Sequence, residues 1–139
     1  MKPIRVELNS IDNNLSDLLL HEYNIEYKLL YKIIKWLFKN LYGYDYIQIV
    51  NSVIDYTTNL MTIKVLLNSK FIKRTAMVTN EYTGEEIKNE LDVFKDMFEI
   101  KSINIPSEID DLCTVSMLLK KITPEDMETY KTYFKLRMS

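Results

Sequence analysis

The sequence predicts an α+β domain, and three patterns lead to that fold class. Apolar residues recur at helical spacing over about 12–42. Residues rich in Val, Ile, Thr and Tyr follow over about 45–80, a composition typical of β-strands. Helical spacing returns at about 107–138. We therefore expect a long N-terminal helix and a C-terminal helical pair, packed on a small antiparallel sheet.

The N-terminal half begins with alternating apolar and charged residues at 3–8, which predict a short strand. In the long helix that follows, Asn24 marks a position where a break would give two helices in line. Gly43 suits the C-cap, because glycine adopts left-handed backbone at little cost. Turn residues near 57–59 and 68–70 then divide 45–80 into a three-stranded meander. Within it, 45–56 also fits a helix.

The C-terminal half contains several start signals for helices. Thr83–Glu86 reads as a capping box that opens a helix carrying Ile87, Leu91, Phe94 and Phe98. Residues 100–105 suit an edge strand. Ser107 and Thr123 begin the two helices of the C-terminal pair, and Pro124 stands at the first helical position of the second.

The bulk composition limits the class of protein. The 139 residues, 47% of them hydrophobic, suit one domain spanning 1–139. A single cysteine and an N-terminus without an apolar run predict a cytoplasmic protein, and no stretch approaches 18 uninterrupted apolar residues, which predicts no membrane span. The richness in Ile, Asn, Lys and Tyr suggests AT-rich coding, as in a virus, a phage or a low-GC bacterium.

The scarcity of chemical groups argues against catalysis. The chain has one histidine, one cysteine and two glycines, whereas hydrolytic triads, zinc sites and phosphate-binding loops need more of them. Asp17 and His21 lie four residues apart, which we interpret as a solvated helix pair rather than a metal site. Cys113 is expected to be a small core residue of a helix. We predict no enzyme activity, no cofactor and no metal.

One arrangement keeps a nuclease possibility open. Glu99 and Lys101 match the acidic-x-Lys half of a metal-dependent nuclease core, and Asp55 could supply its further carboxylate. Glu86 and Lys88 match the same half-motif, but Glu86 reads as a helix cap.

Charged and aromatic residues supply the candidate binding surfaces. Lys28, Lys32, Lys35 and Lys39 form a lysine stripe flanked by Tyr31 and Trp36. Two further basic clusters are Lys70, Lys73 and Arg74, and Lys131, Lys135 and Arg137. Such lysines either grip phosphates or form a solvated face, and the net charge of −2 favours the solvated face over nucleic acid.

The acidic residues Glu85, Glu86, Asp92 and Asp96 form a second charged face, here called the acidic face. Tyr42, Tyr44 and Tyr46 alternate around Gly43, and tyrosine is a preferred interface anchor. The lysine stripe with Tyr31 and these three tyrosines, and alternatively the acidic face, are the candidate partner-binding residues. The complementary charges also make a homodimer plausible.

Short segments of the chain resemble the Bcl-2-like immune modulators of poxviruses. They are Glu22-Tyr23, Leu30-Tyr31-Lys32, Tyr42-Gly43-Tyr44-Asp45 and Met117-Leu118-Leu119, together with Phe134 and Arg137-Met138. The resemblance implies an all-helical fold and a role in host innate immune or apoptotic signalling. That fold needs a hydrophobic central helix, whereas Phe71–Thr75 is polar and strand-like.

Taken together, these patterns favour a small intracellular interaction protein of the inhibitor, immunity or adaptor type, which occludes a protein partner. The Bcl-2-like modulator and a nucleic-acid-binding regulator with a Lys/Tyr-rich helix are the alternatives.

Overall fold

The computed structural model describes residues 4–7, 13–44, 47–67, 84–105 and 112–138. The elements in chain order are β1 (Ile4–Glu7), α1 (Asn13–Tyr23), α2 (Tyr27–Leu37), a π-helical turn (Phe38–Tyr42), β2 (Ile47–Asp55), β3 (Leu60–Leu67), α3 (Gly84–Asp92), β4 (Phe98–Asn104), β5 (Leu112–Leu119) and α4 (Pro124–Arg137). The predicted α+β class is confirmed, as are the short first strand and the strand near 100–105.

The five strands form one antiparallel sheet in the order β1-β2-β3-β5-β4. Alternate residues of β3 and β5 are buried, as a strand with one face toward the core requires. The helices pack on that face and complete one hydrophobic cluster, which includes Leu30, Ile33, Phe38, Phe94 and Phe134. The other side chains of β3, such as Lys64, lie on the opposite face.

The expected single long helix over 12–42 is wrong, and the alternative of a break at Asn24 is confirmed. Asn24 has a left-handed backbone with φ of 58°, which ends α1. Its side-chain amide donates to the carbonyl of Ile122 at 2.5 Å. Asparagine tolerates this conformation better than most residues, so the break needs no glycine. Gly43, with φ of 79°, caps the π-helical turn as predicted for the helix end.

The ambiguous segment 45–56 is a strand from Ile47 onward. A β-bulge between Ile49 and Asn51 inserts a residue, so the buried positions change from Ile47 and Ile49 to Ser52 and Ile54. The insertion breaks the alternation of period two, which explains why the pattern also fitted a helix. The first hairpin of the predicted meander is present, but β5 occupies the position beside β3 where a third meander strand was expected. Residues 68–80 lie outside the described ranges.

The predicted C-terminal helical pair is wrong, because its first member is β5. Cys113, Val115, Met117 and Leu119 alternate along β5, and each is at most 2% exposed. Leu112, Val115 and Leu119 also have helical spacing, so the local pattern fitted both structures. Pairing of β5 with β3 and β4 on its two sides selects the strand.

The second member of that pair, α4, forms as predicted. The Thr123 hydroxyl oxygen accepts from the backbone N–H of Asp126 at 3.1 Å, and Pro124 opens the helix. The helix predicted from the capping box is also present, but it ends at Asp92, so Phe94 lies in a turn and Phe98 begins β4. Thr83 itself lies outside the described residues.

Two global properties follow from this architecture. The five-stranded sheet excludes the all-helical bundle that the Bcl-2-like resemblance implied. Among the described residues, no helix combines the length and the apolar character that crossing a bilayer requires.

Candidate functional site

The lysine stripe lies on the outer face of α2 and the following π-helical turn. Its four lysines are exposed, because they alternate with the buried face formed by Leu30, Ile33 and Leu37. The amphipathic pattern of α2 therefore fixes which residues face solvent.

A groove of about 610 Å³ separates the start of the lysine stripe from α4. Its floor includes Leu29 and Phe134, which are 5% and 7% exposed. Its walls carry Lys28 and Lys32 from α2, and Lys131 and Lys135 from α4. We call this feature the lysine groove, and its combination of an apolar floor with cationic walls suits an amphipathic anion.

The two walls of the groove differ in electrostatics. On the α4 side, Lys131 forms ion pairs with Glu26 at 2.9 Å and Glu128 at 3.4 Å. The hydrogen bond to Glu26 raises the pKa of Lys131, so this lysine is charged at neutral pH. On the α2 side, Lys28 and Lys32 form no ion pair with any described residue. An incoming anion therefore competes with Glu26 and Glu128 at Lys131, but with no described carboxylate at Lys28 and Lys32.

The aromatic residues beside the stripe are engaged in the fold. Trp36 is 7% exposed and belongs to the core, so it does not flank the stripe at the surface as expected. The Tyr31 ring stacks on Tyr27 at 6.2 Å, and the Lys35 ammonium lies 5.5 Å from its centroid. Of the two described rings that flank the stripe, neither therefore offers a free face on which a base could stack.

The predicted tyrosine turn packs partly on the core. The Tyr42 and Tyr44 rings contact Phe38, with centroid distances of 5.8 and 6.5 Å. Tyr42 is 36% exposed and Tyr44 is half-buried, while Tyr46 lies outside the described residues. Burial raises the pKa of Tyr42 above 10.0, and the nearby Cys113 adds to the shift.

The acidic face is exposed on α3 and the turn after it. Asp96 accepts a hydrogen bond from the Tyr130 hydroxyl at 3.4 Å. Glu90, beside the acidic face, accepts from the Tyr133 hydroxyl and lies 3.5 Å from the Arg137 guanidinium. These contacts tie α3 to α4, and no residue of the acidic face is among the lysine groove's lining residues.

The residues considered for catalysis are not brought together. Asp55 and Glu99 lie in one row of the sheet but are separated by β3 and β5, through Leu60 and Leu118. Three strand spacings of about 4.8 Å put them roughly 14 Å apart, too far to share one ion. Glu99 instead pairs with Lys101 at 3.2 Å.

The remaining chemical candidates also have ordinary surroundings. Asp17 and His21 are exposed on α1. Cys113 is fully buried, and burial raises the pKa of its thiol to about 11, which opposes nucleophilic reactivity. No group of three or more metal-ligating side chains is found within the described ranges.

The sequence alone does not predict the groove. From the sequence, the stripe and the cluster Lys131, Lys135 and Arg137 are expected to be separate surfaces, since about 100 residues separate them. The fold joins Lys131 and Lys135 to the stripe, whereas Arg137 turns to Glu90. No local signal marks that convergence. The third cluster, Lys70, Lys73 and Arg74, lies outside the described residues.

Comparisons of this chain with protein-family models, curated proteins and solved structures gave no match.

Proposed function

We propose that this protein is a non-catalytic interaction protein that binds an acidic segment of a protein partner through the lysine groove and the adjoining lysine stripe. The observation that carries the proposal is the convergence of Lys28 and Lys32 with Lys131 and Lys135 around an apolar floor. Binding there would occlude the partner's acidic surface, as an inhibitor, immunity or adaptor protein does.

A protein partner fits this surface better than nucleic acid. Nucleic-acid binding needs many phosphate contacts, whereas Glu26 and Glu128 already pair with Lys131 in this groove and leave few cations for a long phosphate backbone. The cations are lysines rather than arginines, and the neighbouring aromatic rings are packed. An apolar floor contributes nothing to phosphate binding, but it accommodates a protein side chain.

The test is partner capture from an extract of the native host by charge-reversal variants. Lys28→Glu/Lys32→Glu reverses the α2 wall. Lys64→Glu/Lys121→Glu makes the same change in net charge at exposed lysines outside the groove. We expect the first variant to lose a protein that both the wild type and the second variant retain, and polyglutamate to displace that protein.

Three outcomes would overturn the proposal. They are equal loss in both variants, no loss in either, or capture that nuclease treatment abolishes. If the captured protein is a second copy of this chain, the groove binds the acidic face of that copy, and the protein self-associates instead of binding a separate partner. Sedimentation velocity would detect such a complex.

A further inference from the structure

The lysine groove has features that specify the partner more closely than charge alone does. Lys28 and Lys32 on one wall are four residues apart, as are Lys131 and Lys135 on the other. Residues at this spacing lie one above the other on a helix, about 6 Å apart along its axis. Carboxylates one turn apart on a partner helix would match the spacing of Lys28 and Lys32.

The unequal walls also orient such a helix. Lys131 already has Glu26 and Glu128 as partners, so an incoming carboxylate gains more at Lys28 and Lys32 than at Lys131. The floor between the walls, formed by Leu29 and Phe134, is apolar. A ligand therefore gains most when an acidic side faces α2 and an adjacent apolar side faces the floor.

We infer that the lysine groove binds an acidic amphipathic helix, with two carboxylates one turn apart on Lys28 and Lys32 and one bulky apolar side chain on the Leu29–Phe134 floor. This inference rests on the proposed function and names its partner chemistry. Helix-in-groove recognition of this kind takes its affinity from a few apolar anchors.

The experiment uses two synthetic helical peptides of about 14 residues, a length that supports helix formation in an alanine-rich background. Both carry glutamates one turn apart, and one carries phenylalanine on the neighbouring stripe where the other carries alanine. Thr132 is exposed and lines the groove, so Thr132→Trp fills it without changing the charge. Thr129→Trp, on the same helix but not among the groove's lining residues, is the matched control.

We expect the phenylalanine peptide to bind the wild type about tenfold more tightly than the alanine peptide, by fluorescence anisotropy. Thr132→Trp should remove that difference and retain the weaker binding, whereas Thr129→Trp should keep the difference. Thermal unfolding followed by circular dichroism confirms that each variant is folded.

Equal binding of the two peptides, absence of binding by both, or equal effects of the two tryptophan variants would overturn the inference. Equal binding that Lys28→Glu/Lys32→Glu abolishes would leave the charge-based proposal standing. A different experiment tests the proposed function itself. It would be contradicted if Lys28→Glu/Lys32→Glu captured the partner from the extract as well as the wild type does.

Discussion

The Tyr23 hydroxyl donates to the side-chain oxygen of Asn59 at 2.9 Å, and this bond joins the end of α1 to the hairpin between β2 and β3. Asn59 has a left-handed backbone with φ of 61°, and its own carbonyl accepts from the N–H of Leu119. One turn residue thereby joins the β2–β3 hairpin to α1 and to β5.

Tyr23→Phe should lower the free energy of unfolding by about 1 kcal/mol, because it leaves the Asn59 oxygen without this donor. Tyr56→Phe is the matched control. Tyr56 stacks on Tyr23 with centroids 6.5 Å apart, but its buried hydroxyl has no hydrogen-bond partner among the described residues. We expect that change to be neutral or stabilising. Urea unfolding of both variants measures the difference, and a larger loss for Tyr56→Phe would contradict this account.

The break at Asn24 predicts a difference between alanine and glycine at that position. Asn24→Ala loses the bond to Ile122 and places a β-carbon in left-handed backbone, which should cost about 2 kcal/mol in total. Asn24→Gly loses only the bond, because glycine adopts this backbone freely. Chemical denaturation should therefore rank wild type, glycine and alanine in decreasing stability. A continuous helix through residue 24 would reverse the order of the two variants.

Assignment of residues 112–119 to a strand can be tested with two alanine substitutions. Met117 is fully buried in β5, so Met117→Ala should cost about 2–5 kcal/mol. Leu112 is 41% exposed at the start of the strand, so Leu112→Ala should cost less than about 1 kcal/mol. The helix predicted from sequence would bury Leu112 and leave Met117 off its apolar face. Thermal unfolding distinguishes the two arrangements by the order of the losses.

The raised pKa of the Cys113 thiol predicts that the protein loses stability at alkaline pH. Its folded pKa is about 11 against an ordinary value of 9.0, so between these pH values the unfolded chain binds fewer protons than the folded one. The free energy of unfolding therefore falls as pH rises through this range. Tyr23, Tyr56 and Tyr130, whose pKa values burial also raises above 10.0, add to the fall at higher pH. Cys113→Ala should delay the onset by about one pH unit, from near the thiol's ordinary pKa to near that of tyrosine.

Reactivity provides an independent check on Cys113. A thiol reagent at neutral pH should modify it only after denaturant is added, since the side chain is fully buried. Rapid modification of the native protein would contradict the position of β5 in the core.

The lysine groove should bind duplex DNA only weakly. Lys28 and Lys32 form no ion pair with any described residue, whereas Lys131 pairs with Glu26 and Glu128, and the whole chain carries a net charge of −2. We expect no sub-micromolar binding at about 150 mM salt, where few phosphate contacts give little affinity. Anisotropy titrations at several salt concentrations measure this. Tight binding that falls steeply with salt and is lost in Lys32→Glu/Lys35→Glu would favour the nucleic-acid-binding alternative.

The sequence by itself determined the features that depend on neighbours along the chain. The caps at Thr123 and Gly43 and the exposure of the lysine stripe follow from residue type and helical spacing. Each of them is a contact or a conformation within a few residues, so the local pattern contains the information.

Only the tertiary structure decided the features that depend on distant segments. The stretch from Leu112 to Leu119 fits a helix and a strand equally, and its pairing with Leu60–Leu66 makes it a strand. The lysine groove likewise joins Lys28 and Lys32 to Lys131 and Lys135 across about 100 residues of sequence. Pairing and packing of this kind depend on which surfaces bury the most apolar area together, and no local periodicity encodes that choice.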